Sequence, residues 1–106
     1  MKLLTAAVLL AFVGGSVAAF ATDRTISQKG RVFSETALTV KKGENIVFVN
    51  DDNIAHNIMS STPGSEFNLG SQAPGASSSI ALSKAGEVAV VCAIHPRMKM
   101  TVTVAD

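Results

Sequence analysis

The sequence predicts an all-β domain, a sandwich or barrel. Three observations carry this. From Thr22 to Asp106 no run of apolar residues keeps a helical spacing, and short stretches alternate apolar with polar residues instead. Turn residues punctuate those stretches, as at Lys41-Lys42-Gly43-Glu44, Pro63-Gly64, Pro74-Gly75 and Ser83-Lys84-Ala85-Gly86. Short strands at such spacing are the pattern of sandwiches and barrels. The chain has 106 residues, enough for one small domain, and shows no internal repeat.

The first 21 residues stand apart. Met1-Lys2 is followed by an apolar run from Leu3 to Val13, then Gly14, Gly15 and Ser16, then Val17 to Ala21. A positive start, an apolar stretch and small residues at a cut make a secretory signal peptide. Ala19-Phe20-Ala21 places the cut between Ala21 and Thr22, with a cut after Ala19 as the second choice. A retained membrane anchor is disfavoured, because the uninterrupted apolar run is short for a span of about 20 residues. The mature domain is then residues 22–106, with no span left after cleavage.

Taken in order, Thr25 to Phe33 is a strand region broken at Lys29-Gly30. Thr36 to Val40 alternates, with Leu38 and Val40 on one face. Asn45 to Asn50 is rich in β-formers, but Val47 and Val49 are as apolar as Ile46 and Phe48, so alternation leaves its inward face open. Asp51-Asp52-Asn53 is a loop leading into Ile54 to Ser60. Ser61 to Ser79 is rich in Ser, Gly and Pro; Glu66 to Leu69 forms a short strand or turn within it, anchored by Phe67 and Leu69. Ser78 to Leu82 is the next strand. Glu87 to Cys92 follows, with Val88, Val90 and Cys92 on one face. Lys99 to Ala105 alternates cleanly, and Met98, Met100, Val102 and Val104 share the side expected to face the core.

Charge and cysteine usage narrow the function. There are nine basic and eight acidic side chains, and removing Lys2 balances the two signs. A nucleic-acid binder would need a basic face. Export favours disulfides, yet Cys92 is the only cysteine and cannot form one internally. A bound metal would occupy that thiol.

Cys92-Ala93-Ile94-His95-Pro96-Arg97-Met98 holds a cysteine, a histidine and a methionine within seven residues, and Asn53-Ile54-Ala55-His56-Asn57 holds the only other histidine. Cys92 alone would read as a small buried hydrophobe. Here His95 follows three residues later in a turn containing Pro96, so one loop directs both side chains at one point. Two imidazoles, a thiolate and a weak axial thioether are the donors of a blue-copper electron-transfer centre. The expected ligands are His56, Cys92, His95 and Met98. Met100 competes with Met98, but each residue pair along a strand carries a side chain further from the loop. Asn57 is expected to tie the His56 segment to the Cys92 loop with its polar side chain and so to orient the ligands.

Three stretches resemble the small blue copper proteins, the cupredoxins. These are Gly43-Glu44-Asn45-Ile46-Val47-Phe48-Val49-Asn50, then His56-Asn57, then the Cys92–Met98 loop with Val102-Thr103-Val104 after it. The loop is similar in length to the short loop of amicyanin. Plastocyanin and pseudoazurin carry a longer spacing, which would select Met100. The resemblance implies a Greek-key β-sandwich, one copper ion cycling between Cu(I) and Cu(II), and periplasmic single-electron transfer. It suggests a c-type cytochrome or a dehydrogenase as redox partner of a monomeric carrier. His95, Ile94 and Pro96, with Ile54 and Ala55 beside them, are the expected docking surface. The chain has no Tyr or Trp, so aromatic relay residues of some relatives have no counterpart.

Four protein ligands leave no open position for a substrate, which argues against an enzyme. Copper delivery or storage is the alternative reading, and the closed ligand set weighs against it. A zinc module could use two histidines and a cysteine but gains little from a methionine. N-terminal sequencing of the exported protein should begin at Thr22; a start at Phe20 would move the cut to Ala19, and an intact Met1 in the membrane fraction would make the segment an anchor.

Overall fold

A computed structural model describes residues 23–106; the expected signal peptide lies outside the described residues. Nine strands form, and every regular element among these residues is a strand: β1 (Arg24–Lys29), β2 (Val32–Phe33), β3 (Ala37–Lys41), β4 (Asn45–Asn50), β5 (His56–Ser60), β6 (Phe67–Gln72), β7 (Ser77–Ala81), β8 (Gly86–Cys92) and β9 (Lys99–Ala105). They build two sheets. One has the order β2-β1-β4-β7, the other β3-β9-β8-β5-β6. Pairings β1–β4 and β3–β9 are parallel and the rest antiparallel. This is a two-sheet β-sandwich, as the sequence predicted.

The core lies between the sheets. Ile26, Ile46 and Phe48 from the first sheet face Leu38, Val40, Ile58, Val88, Val90, Val102 and Val104 from the second, all nearly or wholly buried. Phe33 and Phe48 meet edge to face with ring centroids 6.1 Å apart, the arrangement that ring quadrupoles favour. The face of β4 that alternation left open is now fixed: Ile46, Phe48 and Asn50 point inward. The register explains it, since β4 sits between β1 and β7 with Ile26 beside Phe48 and Ile80 beside Ile46. The Ser-, Gly- and Pro-rich stretch holds the edge strand β6 and the first residues of β7, the edge strand of the other sheet that was expected at Ser78 to Leu82. Its small polar residues suit strands with one face in water. Phe67, Leu69 and Ile80 pack against the core from them.

The break at Lys29-Gly30 is a two-residue hairpin. Lys29 pairs with Val32, and both Gly30 (φ 64°) and Arg31 (φ 59°) lie in the left-handed region. Two positive φ values in a two-residue loop match the twist of the flanking strands. Glycine takes this conformation freely, but an arginine there costs roughly 1–2 kcal/mol. Arg31→Gly should therefore stabilise the domain by about 0.5–1 kcal/mol after the added chain entropy of glycine is set against the relieved strain. A rise in the urea midpoint at unchanged slope would show it; a fall would mean that the arginine side chain makes up for its backbone.

Candidate metal centre

His56 opens β5, and Cys92 closes β8. The two strands pair with Ile58 opposite Cys92 and Met59 opposite Val91. Antiparallel pairing thus brings the first residues of β5 to the last residue of β8 at one end of the sandwich. Two backbone contacts fasten that end. The Asn57 N–H donates to Cys92 Sγ at 3.3 Å, and the Ala93 N–H donates to the Asn57 carbonyl at 3.0 Å. The loop that follows is closed on itself. The Cys92 N–H donates to the Met98 carbonyl at 3.0 Å, and the Met98 N–H donates to the His95 carbonyl at 2.8 Å.

These constraints bring three donor atoms together. His56 Nδ1 and His95 Nδ1 are 3.2 Å apart, and Cys92 Sγ lies 3.8 Å and 3.7 Å from them. A trigonal ion with bonds of about 2.0 Å to nitrogen and 2.3 Å to sulfur needs donor separations of about 3.5 and 3.7 Å. The triangle fits one ion. Its chemistry fits too: a thiol and two ring nitrogens converge on one point with no acid group among them, the donor set of copper sites. His56 and Cys92 are wholly buried, and His95 is half-buried.

Met98 is buried at the closed end of the loop. The β8–β9 register pairs Val91 with Lys99 and Val90 with Met100. Its continuation sets Met98 opposite Cys92, as their backbone hydrogen bond shows. Met100 is also buried, but it sits two residues further along the strand, about 7 Å from the loop. Asn57 acts differently from the expectation. Its backbone, not its side chain, links the His56 segment to the Cys92 loop. The side-chain amide turns to Asn68 Oδ1 at 3.2 Å. Asn57 Oδ1 is buried and has no hydrogen-bond partner among the described residues.

The sequence reading missed Asp52. Its Oδ2 lies 2.9 Å from His56 Nε2 and accepts the Arg31 N–H at 3.0 Å. A carboxylate on the far ring nitrogen fixes the tautomer, with the proton on Nε2 and Nδ1 left bare toward the donor triangle. Asp52 is held in place by a buried polar network that was also missed. Asn50 Oδ1 accepts the Asp52 N–H, while Asn50 Nδ2 donates to the carbonyls of Ile54 and Gln72, each bond 2.9 Å long. Gln72 donates to the Phe48 carbonyl at 2.8 Å and accepts from Gln28 at 2.6 Å. The hydrogen bond from the Arg31 backbone, then that from His56, hold the Asp52 carboxyl at about 2, below its ordinary 3.8.

A family profile, copper-binding proteins of the plastocyanin/azurin family, matches residues 21–105. The methylamine utilization protein MauL of Methylorubrum extorquens is 29% identical over 106 residues, covering 99% of this chain and 93% of that one. Amicyanin from Paracoccus versutus superposes with a TM-score of 0.73 at 21% identity, over 82% of this chain and 85% of that one. The copper-containing nitrite reductase of Thermus scotoductus superposes at 0.76 with 24% identity over 89% of this chain. This chain spans only 25% of that larger protein.

Asp52→Ala should weaken copper binding by about 10- to 100-fold, measured by chelator competition, because His56 loses the group that orients it. The metal-free protein should also lose stability at neutral pH. Because the carboxyl is depressed in the folded state, its contribution is full above the ordinary value of 3.8 and lost as pH falls through about 2. Urea melts of the two proteins should therefore differ at pH 6 and converge near pH 2; a constant difference would show that the carboxylate charge is not what Asp52 contributes.

Proposed function

The chain belongs to the plastocyanin/azurin family of copper-binding proteins, and from that premise we propose that it carries single electrons between redox partners in the periplasm. It binds one copper ion and is not an enzyme. We assign His56, Cys92, His95 and Met98 as the residues that would hold the ion. The observation that carries the reading is the triangle of two Nδ1 atoms and a thiol sulfur, shut from water except at His95. When bound, copper supplies a one-electron couple, Cu(I)/Cu(II), that no side chain here offers.

The residues contribute rigidity and access. The β5–β8 pairing, the closed 92–98 loop and Asp52 hold the donors in place, so little has to move when charge changes. His95 is the one donor ring that reaches the surface, flanked by Ile94, which is half exposed, and Pro96. A partner docking there comes close to the site without opening it. Encounters of this kind are usually small and short-lived. The apolar leader supports a periplasmic setting. The likeness to a methylamine utilization protein supports oxidation of a small amine as a source of electrons. A dehydrogenase and a c-type cytochrome are then the natural donor and acceptor of a single-chain carrier.

Copper delivery or storage is the second reading. A carrier that hands over its ion needs exposed, exchangeable ligands, and here two of the three converging donor residues are wholly buried. Visible spectroscopy on the purified mature chain with one equivalent of Cu(II) separates the two. An intense blue thiolate-to-copper band should appear, bleach on reduction, and be missing in Cys92→Ser. Absence of the band, with copper passing quickly to a chelator, would favour handling over electron transfer.

A further inference from the structure

Among the described residues, Val32 and Ile94 are the two large hydrophobic residues with more than half of their surface in water, at 58% and 51%. They come from distant parts of the chain, one from the β1–β2 hairpin and one from the ligand loop. Both line a single depression with His95 and Pro96, and the remaining walls are Arg31 and Arg97. A second depression adjoins it along β9 and shares Arg97; Lys99 stands beside it there. No carboxylate lines either depression.

Two acids near this end are engaged, while exposed Glu35, next to Thr36 of the second depression, lines neither depression. Asp52 accepts from His56 and from the Arg31 backbone, and Asp51 accepts from the Ser27 hydroxyl. Arg31, Arg97 and Lys99 form no ion pair among the described residues. The mature chain is balanced in formal charge, so this one-sign rim is a local feature. A free cation rim around an apolar centre is complementary to an apolar centre ringed by carboxylates.

We propose that the partner of this surface is an acidic-faced redox protein, whose carboxylates meet Arg31, Arg97 and Lys99 while its apolar centre covers Val32, Ile94 and Pro96. The inference rests on the electron-carrier reading and names the chemistry of its partner. The cations steer the encounter, and the apolar patch sets the ring of His95 against the partner. Arg31 joins the two functions of its hairpin: its N–H holds Asp52, and its side chain faces the partner.

Stopped-flow oxidation of the copper-loaded protein tests this, with three oxidants: an acidic-faced c-type cytochrome, a basic-faced one, and the hexacyanoferrate(III) anion. The acidic cytochrome should react about tenfold or more faster than the basic one at low ionic strength, and the advantage should shrink as salt rises. Arg97→Glu and Arg31→Glu should each remove most of the advantage. Lys84→Glu makes the same change in net charge at the opposite end of the sandwich and should leave it intact. Brisk exchange with all three oxidants that ignores cytochrome charge and salt would overturn the acidic partner and leave the carrier standing. Equal losses in all three variants would overturn it as well, since net charge alone would then explain the rates. No exchange with any oxidant, by a protein that shows the blue band, would remove the carrier reading and this inference with it.

Discussion

The site depends on the pairing of β5 with β8. Few residues are in register there, with Ile58 opposite Cys92 and Met59 opposite Val91, yet that register decides where every donor points. Strand side chains alternate, so a slip of one residue would turn His56 outward while Cys92 still faced the core. The bond from the Asn57 N–H to the cysteine sulfur and that from the Ala93 N–H to the Asn57 carbonyl pin this register at its last position. The ligand loop then closes between Cys92 and Met98. The three donor atoms meet where these backbone contacts hold them.

The second determinant is the concentration of buried polar groups at the same end. Gln28, Asn50, His56 and Gln72 are buried, and burying amides is costly unless they are hydrogen-bonded. Here they bond in series and brace the segment from Asn50 to Ile54, which carries Asp52. These hydrogen bonds offset much of the cost of placing amides in the core, although Gln28 Oε1 has no partner among the described residues, and they steady the loop. A carboxylate on a freely moving loop would fix no tautomer.

Much of this was legible in the sequence, and the limits are physical. β8 and β9 could be read from alternation because each has one face in the core and one in water. The convergence of His56, Cys92 and His95 could be anticipated because Cys92 and His95 crowd one short loop. The face of β4 was hidden because both of its faces are apolar, and only its neighbours decide. β7 could be read at Ser78 to Leu82, but β6 was legible only in part, as a short strand or turn at Glu66 to Leu69, because an edge strand tolerates the small polar residues that also make loops. Asp52 and Asn50 were hidden for another reason. Their roles are defined by partners distant in sequence, and nothing in Asp51-Asp52-Asn53 separates an ordinary polar loop from one that grips a buried imidazole. The hairpin at Gly30-Arg31 was visible as a break, but its left-handed arginine was not.

The strand order also governs when the molecule becomes competent. β9 lies between β8 and β3 and pairs in parallel with β3, far back in the chain. Such distant pairings are slow to form. A chain synthesised from its N-terminus presents His56 early and Cys92, His95 and Met98 last. Until the final strand enters, the larger sheet is split, and the lone histidine has nothing to share an ion with. A stalled or clipped product therefore offers open strand edges and no copper site. It is prey for proteases rather than a sink for metal. Completing the fold and gaining the capacity to hold copper are one event.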